Sequence, residues 1–217
     1  MSLAVKESEN QETENRPDSM AMPRAESRQA SKLIHKLFEH IDTSRPINVL
    51  EVGRLQPETI DYFSRFRCKL YVPDLFSELR AGELDAGSTG KTLQRKFQDL
   101  FAFEKGAKLD LCLLWDFPHY LDEKQLRAFS SALWPWLHPQ SKAHAFGVHS
   151  AATTLLNREY GIVDHQTISV RQGVSPQLKN SPHPQSFMGE WLTCFATTSG
   201  VLLPDGKVET IMNATVL

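Results

Sequence analysis

Four short apolar segments, separated by stretches with helical spacing, constrain the fold of this chain more than any other feature. They run over 47–52, 68–72, 109–115 and 143–149, and they lack the regular polar alternation of a half-exposed strand. Buried strands that alternate with helices are typical of a mostly parallel sheet covered by helices on both faces. The order of these segments therefore predicts a doubly wound α/β fold.

Capping signals and helical spacing predict the helices around these strands. Apolar residues on one face predict a helix over 30–41, and Pro57 is suited to the first turn of a second helix. The second helix would bury Ile60, Phe63 and Phe66. Asp122, followed three residues later by Gln125, forms a capping-box pattern that predicts a helix start. A further helix is predicted over 185–194.

The remaining segments are predicted from turn residues and short apolar runs. Three glycines indicate a loop over 81–92, and 97–100 is predicted to be a short third strand. The chain then ends in two extended runs, 195–203 and 207–216, separated by Pro204-Asp205-Gly206. This pattern predicts a C-terminal antiparallel β-hairpin added to the mostly parallel sheet. The segment 150–182 has no clear pattern beyond an extended run over 162–171.

The first 25 residues differ from the rest of the chain in composition. They contain no aromatic residue and carry five acids against three bases. Such a segment cannot bury enough apolar surface to offset the entropy of ordering it. We therefore expect a disordered acidic tail over 1–25 and a single domain over 26–217.

Charge, hydropathy and cysteine content exclude several classes of protein. The 24 Lys and Arg nearly balance the 26 Asp and Glu, which argues against a protein held to nucleic acid by phosphate contacts. No apolar run reaches the roughly 18–20 residues of a membrane span, and charged residues from Lys6 onward do not resemble a signal peptide. The three cysteines form no C-x-x-C pair, so neither a disulfide framework nor a cysteine zinc site is expected. A cytoplasmic location is expected.

Acidic residues stand at or just after the predicted strand ends, at Glu51, Asp74, Asp99 and Asp116. In a doubly wound sheet, ligands bind outside the carboxyl ends of the strands. Carboxylates at that edge can accept hydrogen bonds from ribose hydroxyls or from an amine. The alternative for Asp74 is a helix cap, because strand-end acids commonly serve that purpose.

The segments that carry these acids resemble the motifs of class I S-adenosylmethionine-dependent methyltransferases. The matching segments, in order, are Val49-Leu50-Glu51-Val52-Gly53, Tyr71–Ser77, Gln98–Phe101 and Asp110–Asp122. The resemblance covers about residues 30–217 and implies a methyltransferase-like fold that binds S-adenosylmethionine. It assigns cofactor binding to Glu51, Gly53, Asp74, Asp99 and Asp116. The methyl acceptor, a small molecule or a protein, is not indicated.

The loop after the first strand departs from the family pattern. The family carries a run of glycines there, whereas this chain reads Gly53-Arg54-Leu55-Gln56-Pro57. Glycine lets a backbone approach a ligand closely, while leucine adds bulk and proline removes an N–H donor. This degenerate glycine-rich motif leaves a second hypothesis open: a catalytically silent methyltransferase-fold protein, or pseudoenzyme, that acts as a binding partner or scaffold.

His119 and Tyr120 are the candidate catalytic residues, because they follow the fourth strand, near the expected position of a methyl acceptor. A histidine titrates near neutral pH and can act as a base, although a polar residue packed near a helix cap is the alternative. The run Gly87–Thr92 ends like a phosphate-binding P-loop but has Asp85 where the first glycine belongs. His144 and His149 would point to opposite faces of a strand, so no metal site is predicted.

Overall fold

The described part of the chain, which covers residues 26–39, 41–84, 87–173 and 178–217 of a computed structural model, contains nine strands in two sheets. The strands are β1 (Glu26–Ala30), β2 (Ile47–Glu51), β3 (Cys68–Tyr71), β4 (Leu109–Trp115), β5 (Leu137–Val148), β6 (Arg158–Asp164), β7 (Thr167–Gln172), β8 (Phe195–Leu202) and β9 (Lys207–Ala214). The expected tail, 1–25, lies outside the described residues.

The central sheet has six strands in the order β3-β2-β4-β5-β9-β8. The first four are parallel, and β9 runs antiparallel to both β5 and β8. The predicted doubly wound α/β fold with a C-terminal antiparallel hairpin is therefore confirmed. Within the hairpin β8 is the edge strand, while β9 lies inside the sheet and has partners on both sides.

The same described residues form six α-helices: α1 (His35–Phe38), α2 (Pro57–Phe63), α3 (Leu75–Arg80), α4 (Gly90–Phe101), α5 (Glu123–Leu133) and α6 (Gln185–Trp191). Two single 3₁₀ turns, Phe117–Tyr120 and Trp134–Trp136, precede and follow α5. The predicted capping box is confirmed, because the Asp122 and Gln125 side chains each accept a hydrogen bond from the other residue's backbone N–H. Pro57 occupies the first turn of α2, also as predicted.

The third strand predicted over 97–100 is wrong, because these residues form the last turn of α4. Thr89 caps this helix by accepting a hydrogen bond from the Thr92 backbone N–H, so the loop predicted over 81–92 ends at Gly90. Leu93, Phe97 and Phe101 recur every four residues and are buried. That spacing places all three side chains on one face of a helix, against the sheet.

The helix predicted over 30–41 is also wrong over most of its length. Residues 26–30 form β1, which pairs with β7, and the α-helix is confined to the four residues of α1. The Ser31 hydroxyl accepts hydrogen bonds from the backbone N–H groups of Leu33 and Ile34, which stabilises the turn that precedes α1. In α2, Phe63 is buried as predicted, whereas Ile60 is 48% exposed.

The second sheet, in the order β1-β7-β6, packs on α2. The sheet lies very close to Gln56, the residue before α2, at Gly161 in β6. A Cβ atom added to Gly161 would lie 2.9 Å from the Gln56 Cβ and 2.8 Å from the Ser169 hydroxyl oxygen. This sheet therefore brings β6 against the loop between β2 and α2. Among the described residues, no helix is long and apolar enough to cross a membrane.

Candidate functional site

A cavity of about 480 Å³ lies at the carboxyl ends of β2, β3 and β4. Its size falls within the range of small-molecule sites, roughly 300–1,000 Å³. The start of β6 and the residue before it form its opposite wall. Its lining consists of residues 52–55 after β2, residues 72–74, 76, 77 and 80 around the start of α3, Trp115 and Asp116 at the end of β4, and residues 157–160.

Glu51 ends β2 beneath this cavity and is fully buried. Its Oε1 atom accepts hydrogen bonds from the Trp115 indole N–H, at 2.6 Å, and from the Gly53 backbone N–H, at 2.9 Å. Its Oε2 atom is buried and has no hydrogen-bond partner in the described chain. Burial raises the pKa of Glu51 to about 8, against the lowering effect of these two donors. The carboxyl group is therefore mainly protonated at neutral pH.

Trp115 and Gly53 are held close to this carboxyl group. Trp115 has a φ of 48°, a left-handed conformation that is costly for an aromatic residue. A Cβ atom on Gly53 would lie 2.9 Å from Glu51 Oε1 and 3.0 Å from Trp115 Cδ1. Position 53 therefore requires glycine because of the protein's own carboxyl and indole groups.

Asp74 is exposed at the rim of the cavity, three residues after the end of β3. Its Oδ1 atom accepts a hydrogen bond from the Ser77 backbone N–H, at 3.1 Å, and so caps α3. The two interpretations of this residue are compatible, because a carboxylate has a second oxygen that can accept hydrogen bonds from a ligand.

Asp116 follows β4 and lines the same cavity, although only 2% of its surface is exposed. Burial raises its pKa to about 7, despite the nearby positive charge of Lys207 and a hydrogen bond from Tyr160. The Tyr160 hydroxyl donates that bond to Asp116 Oδ2 at 3.3 Å. Asp116 thus combines access to the cavity with a pKa close to neutral pH, as a general base requires.

The loop that follows Gly53, residues 54–56, is anchored to the second sheet by polar side chains. Gln56 is buried, donates a hydrogen bond to Glu159 Oε2 at 3.1 Å and accepts one from Arg171 at 2.8 Å. Arg54 pairs with Glu159, with 3.5 Å between Arg54 Nη1 and Glu159 Oε1. Leu55 lines the cavity, whereas Pro57 starts α2 and does not line it. These contacts hold the loop in place.

His119 lies behind the cavity and is fully buried. Its Nδ1 atom accepts a hydrogen bond from the His183 backbone N–H, at 3.0 Å, so Nε2 carries the proton and donates to the Phe146 carbonyl at 2.9 Å. Burial lowers the pKa of His119 to about 4. Both ring nitrogens are hydrogen-bonded to backbone groups, so His119 connects its own 3₁₀ turn to β5 and to the segment that carries His183. This is the geometry of a structural histidine.

Two other residues named from the sequence also lie away from the cavity lining. The Tyr120 hydroxyl contacts Asn157 Oδ1 at 3.4 Å, and burial raises the pKa of the Tyr120 phenol. Asp99 is exposed on α4, not at a strand end, because the segment that carries it is helical. Of the five predicted cofactor-binding residues, the structure brings Glu51, Gly53, Asp74 and Asp116 together and leaves Asp99 apart.

The residues that sequence reasoning missed come from 157–160, within the segment that had no clear pattern. Asn157, Arg158, Glu159 and Tyr160 form the wall of the cavity opposite the central sheet. No local motif marks them. They reach the cavity because β6 pairs with β7 and packs against α2. No group of three or more His, Cys, Asp or Glu that could hold a metal ion occurs among the described residues.

Solved structures with a similar fold were found, whereas no protein-family model and no curated protein sequence matches this chain. The glycopeptide N-methyltransferase MtfA, in complex with S-adenosyl-L-homocysteine, is 14% identical, with a TM-score of 0.45 over 85% of this chain and 90% of that one. The 1,6-didemethyltoxoflavin-N1-methyltransferase of Burkholderia thailandensis is 13% identical, with a TM-score of 0.41 over 85% and 78%.

A third structure, an S-adenosylmethionine-dependent methyltransferase from Clostridium acetobutylicum, is 13% identical, with a TM-score of 0.43 over 78% of this chain and 83% of that one. The strand order of the central sheet and the final hairpin give this chain a methyltransferase-like α/β fold.

Proposed function

We propose that this chain is a methyltransferase-like protein that binds S-adenosylmethionine in the cavity at the ends of β2, β3 and β4. The observation that carries the proposal is the placement of acidic side chains at three neighbouring strand ends around one cavity. Asp74 and Asp116 line the cavity and Glu51 is buried beneath it, so acids from separate parts of the sequence come together at the edge of the sheet where α/β folds bind ligands.

The chemistry of these residues fits the proposed cofactor. Asp74 is exposed and can accept hydrogen bonds from ribose hydroxyls. S-adenosylmethionine carries a positive amine and a sulfonium, and it supplies a methyl group that is open to attack by a nucleophile. Carboxyl groups near those positive charges favour binding, and a bound cation would in turn lower the pKa values of Glu51 and Asp116.

The protein's own contribution would be mainly positioning. The anchored loop and the Glu51–Trp115 contact fix the shape of the cavity before a ligand arrives, which reduces the entropy lost on binding. Asp116 is the residue best placed to accept a proton from a methyl acceptor, because it lines the cavity and has a pKa raised to about 7. His119 and Tyr120, the candidates named from the sequence, are less suited because neither lines the cavity.

Leu55 lines the cavity at the loop and fills space that a glycine would leave open, so weak binding is expected. Titration calorimetry of the full chain with S-adenosylmethionine and, separately, S-adenosylhomocysteine tests the proposal. Heat of binding with both ligands, together with a rise in melting temperature, is the expected result.

The absence of heat and of any thermal shift at millimolar ligand would reject the proposed cofactor and leave the alternative of a silent scaffold. Replacement of Leu55 by glycine provides a second measurement. Leu55→Gly is expected to bind S-adenosylmethionine more tightly than the unmodified protein does, because the backbone and the ligand can then approach each other.

A further inference from the structure

A second cavity, of about 190 Å³, lies beside the first. Its lining comprises Thr154, Leu155, Leu156, Arg158, Tyr160, Asp205 and Lys207, of which Arg158 and Tyr160 also line the first cavity. The two cavities are therefore neighbours with a shared wall. The volume corresponds to about six water molecules at roughly 30 Å³ each, which suits a small organic molecule.

Lys207 is a buried basic side chain in the wall of this second cavity. Only 4% of its surface is exposed, and burial lowers the pKa of its ammonium group. Its Nζ atom lies 3.2 Å from Asp205 Oδ2 and 3.5 Å from the Tyr160 hydroxyl oxygen. Arg158 pairs with the same Asp205 oxygen, at 3.5 Å. Two cationic side chains thus share one carboxylate, which is itself 40% exposed.

Two aromatic rings lie near the Lys207 ammonium group, and cation–π attraction favours its charged form. Its ammonium group lies 4.7 Å from the centre of the Phe146 ring and 5.4 Å from that of Tyr160, within the range of cation–π attraction. Asp116 accepts a hydrogen bond from the same Tyr160 hydroxyl, at 3.3 Å, and has a pKa raised to about 7, so it carries only a partial negative charge at neutral pH. An excess of positive charge therefore remains at the cavity.

We propose that this second cavity binds a small organic carboxylate, with its carboxylate group held by Lys207 and Arg158 and its apolar body against Leu155 and Leu156. The two cationic side chains exceed Asp205 and the partly ionised Asp116 by less than one full charge, which matches a monoanion better than a phosphate dianion. The two leucines provide an apolar surface that an inorganic ion would not use. The inference does not depend on the first cavity binding S-adenosylmethionine.

Butyrate is a suitable probe, and butyramide, which has nearly the same shape and no charge, is its matched control. In a two-dimensional amide NMR titration of the full chain, butyrate is expected to shift resonances of residues 154–160 and 205–207 with a saturable, millimolar dissociation constant. Butyramide should shift them at least tenfold more weakly. Equal effects of the two probes, or no saturable shift at these residues with butyrate, would overturn the proposal.

Two variants test the residues involved. Lys207→Met removes the buried charge, and we expect it to weaken butyrate binding about tenfold or more. The control is Lys91→Met, which removes one positive charge from an exposed residue at the start of α4. It should leave butyrate binding unchanged. Equal affinities of the two variants would contradict the proposal.

Should Lys207→Met fail to fold, Leu156→Trp is the second test. Leu156 is 59% exposed, so a larger ring can be accommodated on the protein, and part of it would fill the cavity. This variant is expected to lose butyrate binding, and unchanged binding by folded Leu156→Trp would place the ligand elsewhere and reject the site.

Discussion

The Trp115 indole N–H donates a hydrogen bond to Glu51 Oε1 at 2.6 Å, which joins the carboxyl ends of two neighbouring parallel strands. The bond connects a residue with a strained backbone to a buried acid whose pKa is raised to about 8. Such strain persists only where the surrounding packing compensates for it, and it is often found at binding sites. The same pair forms the base of the candidate cofactor cavity.

Asp74→Ala is expected to weaken S-adenosylmethionine binding about ten- to a hundredfold, because a charged hydrogen-bond partner of the ligand is lost. It also removes the N-terminal cap of α3. Asp122→Ala is the matched control, since it removes the cap of α5 outside the cavity. Both variants should lose about 1 kcal/mol of stability, and calorimetry should find weaker binding only for Asp74→Ala. Equal binding by both would reject Asp74 as a ligand contact.

Glu51→Gln is expected to change how stability depends on pH. The pKa of Glu51 is raised from 4.5 to about 8 in the folded protein, so the folded state holds this proton more tightly than the unfolded chain. The stability that this tighter proton binding contributes is fully present below about pH 4.5 and is lost as the pH rises to about 8. Urea denaturation measures the free energy of unfolding. As the pH rises across this range, the value for Glu51→Gln should increase relative to that of the unmodified protein by up to about 1.4 kcal/mol per pH unit.

Glu104→Gln is the control for this measurement, because Glu104 is largely exposed and paired with Lys69. Its stability relative to the unmodified protein should stay nearly constant over the same pH range. A Glu51→Gln difference that is equally flat would show that Glu51 is ionised in the folded protein.

His119→Ala is expected to reduce the free energy of unfolding by at least about 2 kcal/mol, since the His183 N–H and the Phe146 carbonyl lose their buried partner. His149→Ala, at an exposed histidine just after β5, should change stability little. Chemical denaturation distinguishes the two. A His119→Ala protein that is fully stable but loses methyl transfer would restore the catalytic role predicted from the sequence.

Truncation after Leu203 removes β9, and we expect the product to aggregate. β9 pairs with β5 on one side and β8 on the other, so its loss exposes the edge of β5 and leaves β8 without a partner. Truncation after Ala214 keeps the whole strand and should yield a folded protein. Size-exclusion chromatography with circular dichroism measures both, and a soluble, folded product ending at Leu203 would argue against this sheet order.

Deletion of residues 1–25 is expected to leave the melting temperature nearly unchanged, as the composition of this segment predicts. Deletion of residues 1–31 should lower it, because it also removes β1 and the Ser31 hydroxyl, which hydrogen-bonds to Glu209. Equal melting temperatures for the two deletions would show that β1 contributes little to stability. A large loss with the shorter deletion would show that the tail packs on the domain.

Local signals were sufficient wherever neighbouring residues determine the structure. The Asp122–Gln125 capping box, Pro57 at a helix start and the Pro204-Asp205-Gly206 turn were all predicted correctly, because each interaction joins residues only a few positions apart. The buried run of β4 was equally clear, since all seven of its residues are buried and none needs to alternate. Glu51, Asp74 and Asp116 followed from these strand ends.

Long-range contacts decided the rest. Residues 26–30 became a strand because β7, more than a hundred residues away, provides their hydrogen-bond partners, and their own periodicity does not reveal that partner. Residues 97–100 are helical because this conformation buries Phe97 and Phe101 on one face against the sheet and leaves Asp99 exposed. Tyr160 and Lys207 acquired their positions in the two cavities only when β6 and β9 were brought together. Local sequence patterns report propensity and capping, whereas a cavity exists only where distant segments pack around the same space.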